Sequence, residues 1–214
     1  MLITEPYLDQ TRIWPARGRH ILAQYNAATI IVYQAYNTEI GHYAVTHQHL
    51  GGAFDYGRMS WLKPNFLWMM YRSGWGTKEN QQVILVLRLR RTFFESLLAQ
   101  AVPSVWDQAH FSTRAAWATA INQSEVRIQW DPDHDPHGHR VARRALQIGL
   151  RRTALAAFGQ QELLEVQNLS AFVAEQRGYL AEQRIATLRT PRERVYPLAD
   201  PALAKRLGLA EHKE

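Results

Sequence analysis

The sequence predicts an α+β fold, a single domain on a mixed, mainly antiparallel β-sheet with flanking helices. Three observations predict it. Apolar, β-branched runs of strand length alternate with single helical patterns, and too few long crossovers are present for a doubly wound sheet. A length of 214 residues sits near one domain and supports a substantial core. No internal repeat, low-complexity tract or Gly/Ser linker marks a boundary, so residues 1–214 read as one unit, with the proline-punctuated stretch 191–214 as a surface-wrapping tail.

The elements follow in order. Ala27 to Tyr36, AATIIVYQAY, carries the β-branched run of a buried strand. Glu39 to His49 reads as a short helix ended by Gly51-Gly52, and Gln82 to Arg90 as a strand emerging from the core. Thr92-Phe-Phe-Glu95 has the form of a capping box and predicts a helix from about Phe93 to Gln100, stopping before Pro103. Ser124 to Trp130 alternates with period two, as a half-buried strand does, and leads into an Asp/Pro/His loop. His139 to Phe158 has the longest helical pattern, with Gly159 placed to cap it. Leu163 to Val166 predicts another strand and Asn168 to Gly178 a last helix, capped by Ser170.

Composition removes several function classes. No apolar run approaches the roughly 18 residues of a membrane span, and the N-terminus MLITEPYLDQTR has acids where a signal peptide needs cations. A cytoplasmic protein without a membrane partner is expected. The absence of cysteine excludes disulfides, thiolate zinc sites and cysteine nucleophiles. A net charge of +6, carried mostly by Arg, favours anionic partners, because guanidinium meets phosphate bidentately.

Arg58 to Gln82 concentrates the chemistry. Trp61, Trp68 and Trp75 interleave with Arg58, Lys63, Arg72 and Lys78, the composition of a site where rings stack on a base and cations meet phosphate. Core packing, or a surface pair of Trp68 with Arg72 four residues on, accounts for the same residues. Arg140, Arg144 and Arg151, with Arg143 and Arg152 beside them, form a basic stripe along the expected helix after His139, a track for a nucleic-acid backbone or an ordinary solvated face.

Other constellations carry less. The loop Asp131 to His139 offers three carboxylates and three imidazoles, yet its Gly is eighth instead of sixth and Ala142 stands where an EF-hand needs Glu, so no metal is expected. His42, His47 and His49 lack a paired carboxylate and read as exposed or capping residues. Neither a phosphate loop nor a dinucleotide fingerprint is present.

The segments VYQAY, RMSWLKPNFLWMMYRSGWGTK, VRIQWDPDHD and ALQIGL, in that order and spacing, resemble the family catalogued as domain of unknown function 4291 over nearly the whole chain. That family implies a single small domain and carries no activity. The layout from Ile30 to Tyr36 onward, strand, helix, aromatic segment and second strand, is also similar to the start of ADP-ribosyltransferase domains. That similarity implies NAD held in a cleft of a split mixed sheet. The chain departs from those enzymes in having no His or Arg closing the first strand and no clear late catalytic Glu, a role left to Gln129 or Asp131.

Three functions compete. The first is a nucleotide-handling enzyme performing ADP-ribosyl transfer from NAD, or its reversal, on a nucleobase or nucleic acid. Tyr36, Tyr71 and Trp75 would stack, Arg58, Lys63, Arg72 and Lys78 would hold pyrophosphate, and Gln129 or Asp131 would stabilise the ribosyl cation. A non-catalytic RNA- or DNA-binding module would use the same rings with Arg140, Arg144 and Arg151. An Asp/His metal-dependent hydrolase comes third.

Overall fold

Two apolar runs, one either side of the aromatic segment, pair to make the first sheet, and the hairpin after Ser124 makes the second. The computed structural model describes residues 2–211. Its first part holds β1 (Thr4–Pro6), α1 (Tyr7–Thr11), β2 (Gly18–Arg19), β3 (Leu22–Ala23), β4 (Thr29–Tyr36), α2 (Thr38–His47), β5 (Ser60–Leu62) and α3 (Phe66–Ser73). There follow β6 (Val83–Arg90), α4 (Arg91–Gln100), β7 (Val102–Pro103), α5 (Arg114–Gln123), β8 (Val126–His134), β9 (Arg140–Leu150) and α6 (Arg152–Gln160). The chain closes with β10 (Leu163–Asn168), α7 (Ser170–Ala181), β11 (Arg189–Pro191), β12 (Arg194–Val195) and α8 (Pro201–Leu207). No helix among the described residues is long and apolar enough to cross a membrane.

The first sheet has the order β10-β6-β4, antiparallel throughout. The second runs β2-β9-β8-β7, with β5 also on β9; β8 and β5 pair antiparallel to β9, whereas β2 and β7 join in parallel. The fold is therefore α+β on mixed, mainly antiparallel sheets. Successive residues of β4 enter opposite cores: Ile30 and Val32 join Leu85, Leu87, Ile128, Leu146 and Ile148, while Ile31 and Tyr33 join Phe66, Leu67, Met70 and Val173. Both faces are buried, which is why the run is apolar without interruption until Gln34.

A buried polar cluster ties the chain ends to this frame. Glu193 accepts from the Phe66 amide at 2.6 Å and from Asn65 at 3.2 Å, so a carboxyl sits at the start of α3; burial raises its pKa well above the usual range. Gln10 donates to Thr190 and Pro191 and accepts from the Glu193 amide. Arg143 meets Asp133 at 2.6 Å and the Pro15 carbonyl at 2.7 Å. Beyond 191, β12 pairs with β3 and α8 buries Leu203 and Leu207 in the core; residues 212–214 of the expected tail lie outside the described residues.

Several expectations are corrected. The long helix His139–Phe158 is instead β9 followed by α6. Asp135 Oδ1 accepts from the amides of His137 and His139, and Gly138, at φ +86°, closes a hairpin that returns 140–150 along 126–134. Once that turn forms, strand pairing overrides the helical periodicity. The Arg stripe disappears with the helix: Arg140 and Arg144 are exposed on β9, and Arg151 donates to the carbonyls of Ser124, Ile121 and Asn122 at the end of α5. Gly159 lies inside α6, where an added Cβ would meet the Tyr56 hydroxyl at 2.4 Å.

Capping also differs. Thr92 caps nothing, because β6 passes directly into α4 at Arg91, and Glu95 turns to Arg91 and Tyr196. Ser170 is the first residue of α7, and its hydroxyl accepts from the Ile84 amide. Asn37 caps α2, which ends at Gln48 in the left-handed region before the Gly pair is reached.

Arg143→Ala would leave the Asp133 carboxylate buried without its cation. A loss of about 3–5 kcal/mol is expected, the usual consequence of removing one partner of a buried pair, read as a fall in the urea unfolding midpoint.

Candidate functional site

The site forms where the two sheets meet. Strands β4 and β5 are joined by one isolated bridge, Tyr33 with Lys63, whose backbone bonds measure 2.7 and 3.2 Å. Beyond it side chains cross the seam: Gln34 Nε2 donates to Ser60 Oγ at 2.9 Å and to the Trp61 carbonyl at 3.2 Å, and the Tyr36 hydroxyl lies 3.0 Å from Ser60 Oγ. Helix α3 lies over the seam, touching β4 on one side and β8 on the other. Asn65 caps it by accepting from the Trp68 amide, and Gly74, left-handed at φ +59°, ends it.

A cleft of about 420 Å³ opens along this seam. Arg58, Lys63 and Arg72 line it together with the rings of Tyr36, Phe54 and Trp61 and the amides of Gln34, Gln81 and Gln147. Among the described residues Asp55 is the carboxylate in the lining, and its Oδ1 is engaged by the Gly57 amide of its own loop. Burial holds the Tyr36 phenol protonated far above its ordinary range, so it serves as a neutral hydrogen-bonding group.

Lys63 differs from the other cations. It is only 5 % exposed, and its ammonium lies 5.2 Å from the centre of the Trp68 ring. Burial lowers its pKa to about 8, with repulsion from Arg72 adding to the effect and Asp131 opposing it. Asp131 is itself held from two sides, by Gln129 Nε2 at 2.7 Å and Gln147 Nε2 at 2.6 Å. Gln129 and Gln147 are register partners on β8 and β9, which sets them and Asp131 on one sheet face.

The cleft thus brings together Tyr36, Arg58, Lys63 and Arg72, with Asp131 one hydrogen bond behind Gln147. Gln129 and Arg144 line a different hollow of about 400 Å³, with Arg19, Trp106 and Trp130. Trp75 does not line the seam cleft: Gly74, Trp75 and Gly76 all have positive φ, and this left-handed run turns its ring onto Phe66, with Nε1 donating to the Pro136 carbonyl at 3.1 Å. Tyr71 stacks on His134 at 3.5 Å, and Lys78 folds back onto the Tyr71 and Arg72 carbonyls at the end of α3. Trp75 and Tyr71 thus hold the hairpin against the helix. His134 is buried against the Tyr71 ring, and burial lowers its pKa.

Sequence reasoning passed over Gln34, Ser60 and Gln147, and named Trp61 in the aromatic segment without giving it a place in the site. Two of them carried a signal: Gln34 interrupts IIVYQAY and Gln147 interrupts ALQIGL, and an amide inside an apolar strand needs a reason to be there. In the Asp131–His139 segment Asp133 pairs with Arg143 and Asp135 closes the turn, so its carboxylates face separate partners. Among the described residues no group of three or more His, Asp or Glu side chains is placed to hold a metal ion.

The architecture and cleft define an α+β protein with a cationic, ring-lined groove at a sheet seam. The chain belongs to the family described as Domain of unknown function (DUF4291), whose model matches residues 20–196. That span contains every lining residue of the seam cleft. No curated protein matches the chain.

The lysine makes stability pH-dependent. In the native state Lys63 releases its proton as pH rises through about 8, whereas in the unfolded chain it holds it to 10.5. The unfolded state therefore binds more protons across this interval, and stability rises with pH. Urea titrations at about pH 7 and about pH 9 should differ by roughly 1 kcal/mol more in the wild type than in Lys63→Met. Parallel behaviour of the two proteins would remove Lys63 from this role.

Proposed function

We propose that the seam cleft binds a pyrophosphate-bearing ligand with a planar base, NAD or ADP-ribose, and that the protein is a nucleotide-handling enzyme of ADP-ribosyl type. The reaction is transfer of ADP-ribose from NAD, or its reversal, on a nucleobase or nucleic acid. One observation carries the reading: Arg58, Lys63 and Arg72, from a loop, a strand end and a helix, converge on a single cleft that also presents the rings of Tyr36, Phe54 and Trp61 and the amides of Gln34, Gln81 and Gln147. Guanidiniums meet phosphate oxygens bidentately, and the partly exposed Trp61 ring offers a face to a base.

The chemistry needs negative charge near the ribose, because the carbon that loses nicotinamide becomes cationic in the transition state. Asp131 supplies it. Locked between Gln129 and Gln147, the carboxylate keeps its orientation while charge develops, and preorganisation of this kind is worth more than a mobile group. The second hollow, with Trp106, Trp130, Arg19 and Arg144, offers rings and cations for a nucleic-acid acceptor and supports that partner over a free base.

Arg72→Ala is expected to weaken ADP-ribose or NAD binding by about 1.5–3 kcal/mol, the range for a hydrogen bond to a charged group, with little change in thermal stability because the residue is exposed. Isothermal calorimetry checks it. Absence of heat with ADP-ribose, NAD and short oligonucleotides in the wild type would reject the nucleotide reading.

A further inference from the structure

We infer that Lys63 is a covalent catalyst whose amine attacks the anomeric carbon of an ADP-ribose-bearing ligand and carries the ribosyl group as an imine before passing it on. This deepens the ADP-ribosyl reading of the seam cleft and rests on it.

The first support is a contrast among buried charges. Arg143 is bonded to Asp133 and Pro15, and Glu193 to Phe66 and Asn65. Lys63 is buried to the same degree and faces the cleft, yet among the described residues its ammonium has neither a hydrogen-bond partner nor an ion pair; its near neighbour is the face of Trp68. A buried cation without a partner costs several kcal/mol, so a lysine serving the fold would have been given a carboxylate. A lysine serving as a nucleophile is kept from one, because an ion pair would hold it protonated.

The second support is positional. The bridge to Tyr33 fixes the backbone of Lys63, Pro64 restricts it further as the residue that precedes a proline ring, and Asn65 anchors the helix that follows. The amine therefore projects from a rigid seam, with Arg72 alongside to take phosphate oxygens and to repel the protonated form. With a pKa of about 8, roughly a tenth of the amine is neutral at pH 7. Asp131 lies close enough to be felt by the amine and would stabilise a positive iminium in its place.

The bonds balance without an oxidant or reductant. The neutral Nζ forms a bond to C1 of the nicotinamide-bearing ribose; the bond from C1 to the pyridine nitrogen breaks, and nicotinamide leaves with the electron pair as a neutral molecule. The ribosylated ammonium gives a proton to water. The ring then opens as the nitrogen lone pair forms C=N, and the ring oxygen takes up a proton, leaving a protonated imine. Ring closure returns the hydroxyl proton to water, and attack on C1 by an acceptor amine or water, which transfers a proton to the departing Nζ, restores the lysine. Free ADP-ribose reaches the same imine from its open aldehyde by losing one water.

The test uses the full chain with ADP-ribose and sodium cyanoborohydride, which reduces an imine to a stable amine. Intact-mass and peptide mapping should find one saturable adduct on Lys63, absent without the hydride. Lys63→Arg, checked for folding by circular dichroism and run at ADP-ribose concentrations that saturate it by calorimetry, should give no adduct. Mapping on the wild type locates the adduct even if that variant fails to fold. Binding without an adduct, or labelling spread over Lys78 and Lys205 and unchanged in Lys63→Arg, would overturn the covalent role and leave Lys63 a phosphate contact. Absence of ADP-ribose binding would overturn the parent reading as well.

Discussion

The structure depends on one pair of backbone hydrogen bonds, those between Tyr33 and Lys63. Each sheet is internally complete, but among the described residues their backbones pair only there, just past β5 and in the middle of β4. More pairing would close the seam and bury its side chains, while the shared core of Val32, Leu85, Ile128 and Ile148 keeps the two sheets packed behind it. A single bridge holds the edges in register while leaving a gap wide enough for Gln34, Tyr36 and Ser60 to reach across with side chains instead of main chain. The cleft is thus a consequence of incomplete sheet closure.

The polar cluster beneath α3 follows from the same arrangement. A helix laid over a seam has its start near the interior, and four amides there lack helical partners. Glu193 and Asn65 meet two of them, those of Phe66 and Trp68. Because Glu193 belongs to the C-terminal strap and Gln10 ties that strap to α1, the ends of the chain close over the first turn of the helix. Distant segments of sequence therefore fix the orientation of the helix that carries Arg72.

How much of this was legible depends on where each signal resides. Strands from Gln82 to Arg90 and Ser124 to Trp130 were readable because each has its own apolar pattern. Strand β9 was not: with both faces buried near its end, Ala145, Leu146, Ile148 and Leu150 show no clean alternation, and the hairpin turn that decides the matter lies outside the segment. The charged half of the cleft was visible as Arg58, Lys63 and Arg72, since charge concentrates in one short stretch. Its amide half was not, because Gln147 arrives from a strand 75 residues beyond Arg72 through sheet topology alone. Trp75 shows the converse. Its composition matched a binding segment, but two glycines in left-handed geometry decide where the ring goes.

The eight-residue length of α3, bounded by the Asn65 cap and the Gly74 stop, makes the cleft intolerant of a change in spacing. From Lys63 to Arg72 the chain contains almost two helical turns, so the guanidinium returns to the side of the helix on which the lysine enters. Each residue inserted or deleted rotates everything after it by about 100°, as 3.6 residues per turn requires. One extra residue between Phe66 and Tyr71 would turn Arg72 away from the cleft and would rotate the buried Met69 and Met70 off their core face as well. The interval between Lys63, just before the helix, and Arg72, in its last turn, therefore behaves as a fixed ruler.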